Sequence, residues 1–269
     1  MTDAATGTPA HRTAAVLRQM GDVAIALSGG VDSMTLAHIA AGSGAQAVMF
    51  HAISPAVPPH ATARVRNHAE RFGWDLRVVG AGEFDDPEYM ANPVNRCYFC
   101  KSNLYGRLRA ATGSGPGAAT ICSGTNTDDL GDFRPGLAAA SEKDVRHPFV
   151  EADVDKAAIR VMARDLGLED LAELPAQPCL SSRVETGLPI IADQLAVVDR
   201  VEQYLSSQLG PGDIRCRVTR DGLRVEVPPS QIAAVDRPAL EAEIIAAGHR
   251  LAAIAPYRMG SAFLREAGE

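Results

Sequence analysis

The segment Ser28-Gly29-Gly30-Val31-Asp32-Ser33 concentrates anion-binding chemistry in a few residues. Two glycines let a backbone approach a phosphate with no Cβ in the way. Ser28 and Ser33 add hydroxyl donors. The segment follows the apolar run Val23–Leu27 and precedes a helical stretch from Ser33 to Ala41. A strand-to-helix junction offers free N–H groups and the positive end of a helix dipole. Asp32 fits such a site by orienting the loop or by helping to hold Mg²⁺. A plain capping turn uses the same residue types, since Ser and Asp cap helices and Gly-Gly bends chains. The whole pattern behind an apolar strand favours a phosphate loop. It is not a Walker A loop, because no Gly-Lys-Ser/Thr is present.

The cysteines are the second chemical signal. There are 5, an odd number in a chain with no apolar leader, which points to reduced thiols and a cytoplasmic setting. Cys97 and Cys100, in Asn95-Arg96-Cys97-Tyr98-Phe99-Cys100-Lys101, form a Cys-x-x-Cys able to do redox work or bind a metal. Cys179 stands on a stretch stiffened by Pro175 and Pro178. Arg183 nearby favours its thiolate, so Cys179 is a candidate nucleophile or ligand. Cys122 and Cys216 fall on strands and read as small buried hydrophobes.

Other polar residues admit two readings each. Asp128, Asp129 and Asp132 beside Arg134 suit Mg²⁺ and pyrophosphate, or an exposed turn. Lys156 and Arg160, four apart on a predicted helix, steady negative charge or form a solvated face. Arg215 and Arg217 alternate onto one face of a strand. His51 ends the second strand, either at a nucleotide or as a satisfied histidine.

These groups need elements to hold them. Strands at Val23–Leu27, Ala47–Ile53, Leu76–Val79 and Ala118–Cys122 alternate with helical stretches, a βαβ rhythm that predicts a parallel sheet covered by helices on both faces. The pattern changes near Gly187. A long helix over Ala192–Leu209, a hairpin around Arg220-Asp221-Gly222, two short helical stretches and a strand over Arg250–Ala255 predict a small α+β unit. The expected organisation is a flexible tail over residues 1–20, a nucleotide domain over 21–186 and a small domain over 187–269. The formal net charge of −7 disfavours a nucleic-acid coat. No apolar run reaches the ~20 residues that span a bilayer.

SGGVDS resembles the motif of the PP-loop ATP pyrophosphatases. NRCYFCK, the run Ser123 to Gly136 and PAQPCLSSR, in that order, are similar to the LarE family, and the likeness extends from about Val23 to Ile254. The resemblance implies a doubly wound α/β fold of the Rossmann-like, adenine nucleotide alpha hydrolase type with a small C-terminal α+β domain. It implies an enzyme that uses ATP and Mg²⁺ to adenylate a carboxylate of pyridinium-3,5-dicarboxylate mononucleotide, releasing pyrophosphate, and then makes a thiocarboxylate. By the same resemblance ATP meets Ala26, Ser28, Gly29, Gly30, Asp32, Ser33, His51, Gly124 and Asp129. Asp32, Lys156 and Cys179 are catalytic, Arg183, Arg215 and Arg217 hold the substrate phosphate, and Asp129 and Asp132 serve Mg²⁺. The sulfur comes from Cys179 itself, or from a [4Fe-4S] cluster on Cys97, Cys100 and Cys179; three cysteines depart from the family's single-cysteine form. A homo-oligomer with a small-molecule nucleotide substrate and no nucleic acid or membrane is expected. Rival readings are an ammonia-dependent PP-loop synthetase, a tRNA thiolase, and a nucleotide-binding module without turnover, which pyrophosphate release would exclude.

Overall fold

Strand β1 (Asp22–Leu27) lies inside a parallel sheet with β2 (Gln46–Ile53), β3 (Leu76–Gly80) and β4 (Thr120–Cys122), in the order β3-β2-β1-β4. The computed structural model describes residues 7–113, 115, 117–131, 134–210 and 212–258. Along the chain the helices are α1 (Pro9–Met20), α2 (Val31–Gly42), α3 (Pro59–Phe72), α4 (Pro87–Met90), α5 (Arg96–Thr112), α6 (Pro135–Glu142), α7 (Pro148–Glu151), α8 (Lys156–Asp165), α9 (Glu169–Ala172), α10 (Ala192–Leu209) and α11 (Arg237–Ala246).

The chain divides into two units. The first comprises residues 1–54, 59–86 and 95–177, and the second residues 55–58, 87–94 and 178–269. Residues 178–186, with Cys179, therefore group with the second unit.

In the first unit β1 is buried on both faces, and its alternation explains the layers. Val23, Ile25 and Leu27 enter one apolar cluster with Leu17 of α1, Met34 and Leu36 of α2, Ile159 and Met162 of α8 and Leu171 of α9. Ala24 enters another with Phe50, Tyr105 and Leu108 of α5 and Ala140 of α6. Helices thus cover both sides of an α/β sheet. The register pairs Asp22 with Gln46 and Leu27 with His51, so β1 ends just before Ser28 while β2 runs two residues further, to Ile53.

Where the sequence alone suggests a tail over residues 1–20, residues 9–20 are a helix. Pro9 opens α1, and the Thr8 side chain accepts from His11 N at 3.3 Å. Leu17 is fully buried, and Arg12 donates to Ala152 O at 2.9 Å.

In the second unit β5 (Arg215–Thr219) and β6 (Gly222–Val227) form an antiparallel hairpin, and β7 (Leu251–Pro256) joins β6 in parallel. Leu195, Val198, Val201 and Leu205 form the buried stripe of α10, and Leu240 and Ile244 that of α11. Among the described residues no helix is long and apolar enough to cross a membrane.

Candidate functional site

The turn from β1 into α2 is a closed ring of short bonds. Ser28 N donates to Ser33 Oγ at 3.1 Å, the two hydroxyls lie 3.0 Å apart, and Gly30 N donates to Ser28 Oγ at 3.3 Å. Gly30 is the extended N-cap of α2 and makes no side-chain cap bond, which leaves the first-turn amides of α2 without a side-chain acceptor. Gly29 has φ +81°, and a Cβ there would stand 2.9 Å from Ala61 O. A Cβ on Gly124, just past β4, would stand 2.7 Å from Ser33 N. Both glycines are thus required by close backbone approach. Behind the ring, Arg64 Nη1 donates to Gly29 O at 2.7 Å and brings a positive charge to the loop.

Asp32 and Lys156 meet beside this ring, with Lys156 Nζ 2.6 Å from both carboxylate oxygens. Burial raises the Asp32 pKa, the hydrogen bond and charge of Lys156 oppose it, and the charge of Asp129 adds to the rise. Lys156 opens α8, where Asp155 caps the helix by accepting from Ala158 N at 2.7 Å. Lys156 N also donates to Asp128 Oδ2 at 3.1 Å. Asp129 accepts from Asn126 N at 3.1 Å and pairs with Arg134 at 2.8 Å. The first unit therefore gathers Ser28, Gly29, Gly30, Asp32, Ser33, Gly124, Asp129 and Lys156 beyond the carboxyl ends of β1 and β4, and Ala26 lies on β1, paired with Phe50. Asp132 lies outside the described residues.

Two further residues spend their hydrogen bonds on the scaffold. His51 is fully buried; its Nδ1 donates to Leu27 O and its Nε2 accepts from the Thr62 hydroxyl, each at 2.9 Å. Burial lowers its pKa, and with both nitrogens engaged the ring ties β1 to α3 behind the loop. Arg160 donates to the carbonyls of Ala172 and Leu174 and so fastens α9 to α8, while its charge also favours the Asp32 carboxylate.

In the second unit Cys179 is half-buried and opens the turn Leu180–Arg183. Three bonds hold that turn. Leu180 N donates to Ala56 O at 2.9 Å, Tyr89 Oη and Ser181 Oγ meet at 2.6 Å, and Arg183 Nη1 donates to Pro178 O at 2.8 Å. The remaining side of the Arg183 guanidinium forms a fork on Glu202, both bonds 3.0 Å, and Glu202 also accepts from Cys216 N at 2.8 Å. Arg183, read from sequence as a phosphate ligand, is a buried clamp on the Cys179 turn. Arg215 and Arg217 share one face of β5. Arg217 pairs with the buried Glu226 at 2.9 Å, and Arg215 lies over the Tyr257 ring at 5.3 Å.

The other thiols separate by environment. Cys97 is exposed and Cys100 half-buried, one turn apart on α5 and so side by side. Cys122 and Cys216 are fully buried; burial pushes the Cys122 thiol up to about 12 and raises that of Cys216 as well, which keeps both protonated. Among the described residues no three His, Cys, Asp or Glu side chains are placed to hold a metal ion.

Several working residues escaped the sequence reading. Tyr89 and Glu202 act on the Cys179 turn from far along the chain, and no local spacing announces them. Asn92 is buried with φ +53°, and its amide donates to Glu185 O at 2.9 Å. Its one signal is the Asn-Pro turn dipeptide it forms with Pro93.

No family model matches the chain. An uncharacterised protein of Synechocystis sp. is 40% identical over 209 residues, 77% of this chain and 77% of that one. An uncharacterised protein of Methanocaldococcus jannaschii is 25% identical over 205 residues, 76% of this chain and 77% of its own. The pyridinium-3,5-bisthiocarboxylic acid mononucleotide synthase of Lactiplantibacillus plantarum is 30% identical over 222 residues, 81% of this chain and 79% of the synthase. At that identity and coverage, the chain belongs to the family of this synthase, the LarE family of enzymes.

Proposed function

We propose that the protein is an ATP-dependent sulfurtransferase that adenylates a carboxylate of pyridinium-3,5-dicarboxylate mononucleotide and converts it to a thiocarboxylate. The observation that carries the reading is the uncapped start of α2 behind Gly29 and Gly30, joined to the Asp32–Lys156 pair. On this reading the fold is of the PP-loop type, and the phosphates of ATP sit at the amides of residues 30–33. Lys156, paired with Asp32 beside the loop, stabilises charge that grows on the α-phosphate as the carboxylate oxygen attacks and pyrophosphate leaves. Mg²⁺ reaches such sites with the nucleotide, held by one or two carboxylates plus phosphates, a role that suits Asp129.

The acyl-adenylate makes the carbon electrophilic, because AMP leaves more readily than oxide. A thiolate sulfur then adds to that carbon, the C–O bond to AMP breaks, and AMP carries away the electron pair. With Cys179 as donor, subsequent loss of the Cα proton and cleavage of the Cβ–S bond frees the thiocarboxylate and leaves dehydroalanine in the chain. The half-buried turn held by Arg183 and Tyr89 fits a thiol that must be presented in one pose. The alternative donor is sulfide on an iron–sulfur cluster, for which Cys97 and Cys100 supply two neighbouring thiolates.

The deciding experiment is anaerobic turnover with ATP, Mg²⁺ and the dicarboxylate, followed by mass spectrometry of product and polypeptide. The reading expects AMP, pyrophosphate and exchange of one oxygen for sulfur. A chain lighter by one H₂S at Cys179 assigns self-sacrifice; an intact chain carrying iron assigns the cluster. ATP hydrolysis to ADP, or no product containing sulfur, would overturn the reading.

A further inference from the structure

Helix α3 carries His60, Arg64, Asn67, His68 and Arg71, at spacings that bring them onto one side of the helix. With Ala63 and with Asp170 of α9 they line an open cavity of about 410 Å³. That volume falls within the range of small-ligand pockets. All of these residues belong to the first unit, and none belongs to the Ser28–Ser33 ring or to the Cys179 turn.

The lining is unusually rich in donors. Arg64 and Arg71 are cations, Asn67 carries an amide, and His60 is exposed with its imidazole at the cavity. The single carboxylate, Asp170, is already engaged, accepting from His68 Nε2 at 2.9 Å. His68 is in turn fixed from behind, since its Nδ1 accepts from His38 Nε2 at 2.9 Å and His38 packs edge-on against Phe72 and Trp74. This relay orders the tautomers of both rings, and the charge of Asp170 also acts on Arg64. Arg64 uses Nη1 on Gly29 O and Gln177 Oε1, while its Nε and Nη2 have no partner among the described residues. A half-buried guanidinium with unused donors facing a cavity is matched by an oxyanion with several acceptors.

We propose that this groove is a second anion site, distinct from the phosphate loop, that takes a tetrahedral phosphate group through Arg64, Arg71 and Asn67. A planar carboxylate would satisfy one guanidinium; a phosphate has oxygens enough for both and for the amide. The group is either free phosphate or the phosphate of an ester, and the two sources are separable by binding.

The test uses the full chain saturated with the α,β-methylene analogue of ATP, so that the loop is filled. Inorganic phosphate and ribose 5-phosphate are then titrated separately by calorimetry and by nuclear magnetic resonance of the histidine rings. One further equivalent binds, and the His60 and His68 ring signals move. Arg71→Glu weakens that binding by about tenfold or more, the loss of a charge-assisted contact. Asp170→Asn strengthens it, a change that a purely structural role would not produce. Tighter binding of ribose 5-phosphate assigns the site to a phosphate ester, and equal or tighter binding of inorganic phosphate assigns it to the free anion. No further equivalent at saturating analogue, or unchanged affinity in Arg71→Glu, overturns the proposal. The assay is blind to sulfur chemistry, so its outcome is independent of the reaction assigned above.

Discussion

The loop over Ser28–Ser33 and the turn over Cys179–Arg183 treat their polar groups in opposite ways. The first closes a ring on its own hydroxyls and leaves the amides at the start of α2 without a side-chain cap. The second uses nearly every polar group on the turn itself, with Arg183 held by Glu202 on one side and bound to Pro178 O on the other. One arrangement keeps donors for a ligand; the other fixes the pose of a sulfur. The same residue type, a serine or an arginine, thus means different things in the two places.

Breaking the clamp has the largest expected effect. Arg183→Ala removes the fork from the half-buried Glu202, and losing those charge-assisted hydrogen bonds costs about 1.5–3 kcal/mol. The melting temperature falls and the Cys179 thiol reacts faster with a maleimide. Unchanged stability would mean that the fork on Glu202 is not what fixes the turn.

Next comes the pair at the loop. Lys156→Met lowers kcat/KM for pyrophosphate release by about 10²-fold while the protein stays folded. It also removes the hydrogen bond and charge that restrain Asp32, whose pKa burial already raises above 3.8. A carboxyl raised in the folded state favours folding below its unfolded value, and that preference is lost as pH rises through the folded one. The variant therefore loses more stability than the parent as pH rises above 3.8, read from thermal melts. A pH profile parallel to the parent's would contradict the pairing.

Gly124→Ala sharpens the comparison by pure sterics. Its Cβ would meet Ser33 N at 2.7 Å, and forcing backbone apart costs about 1–3 kcal/mol. ATP affinity falls while maleimide labelling of Cys179 is unaffected. Equal loss at both would mean that the loop and the Cys179 turn respond as one.

The smallest effect lies at His38, whose pKa is lowered to about 4, first by burial and then by the neighbouring His68. A depressed histidine stabilises the fold fully above its ordinary 6.5, and that contribution is lost as pH falls toward about 4. His38→Gln flattens the fall in melting temperature across that window, and an unaltered slope would mean that His38 does not carry it.

Much of the scaffold was legible from local signals. Val23–Leu27 reads as a buried strand from its length and the turn residues after it, and α10 was readable from its stripe to the residue. The loop was legible because glycine, serine and position agree. Helix α1 was not, because only Thr13 and Leu17 are fully buried, while Ala10, Ala14, Val16 and Met20 pack against the core only in part, behind a polar start. Helix α5 was hidden by the chemistry written over its first turn, where Cys97 and Cys100 draw the eye to a motif rather than to a helix. The role of Arg183 was illegible for a different reason. Its partner Glu202 lies 19 residues away on another element, and only folding reveals that the cation is already engaged. His51 was open between two readings, and the Thr62 hydroxyl across α3 decides its geometry.

The most direct measurement of the central claim follows an oxygen atom. The substrate carboxylate is labelled with heavy oxygen and turned over with ATP and Mg²⁺ in unlabelled water. If the carboxylate attacks the α-phosphorus, each thiocarboxylate formed leaves one labelled oxygen in AMP. Label appearing in inorganic phosphate, or AMP free of label beside a labelled product, would contradict adenylation at the Ser28–Ser33 loop.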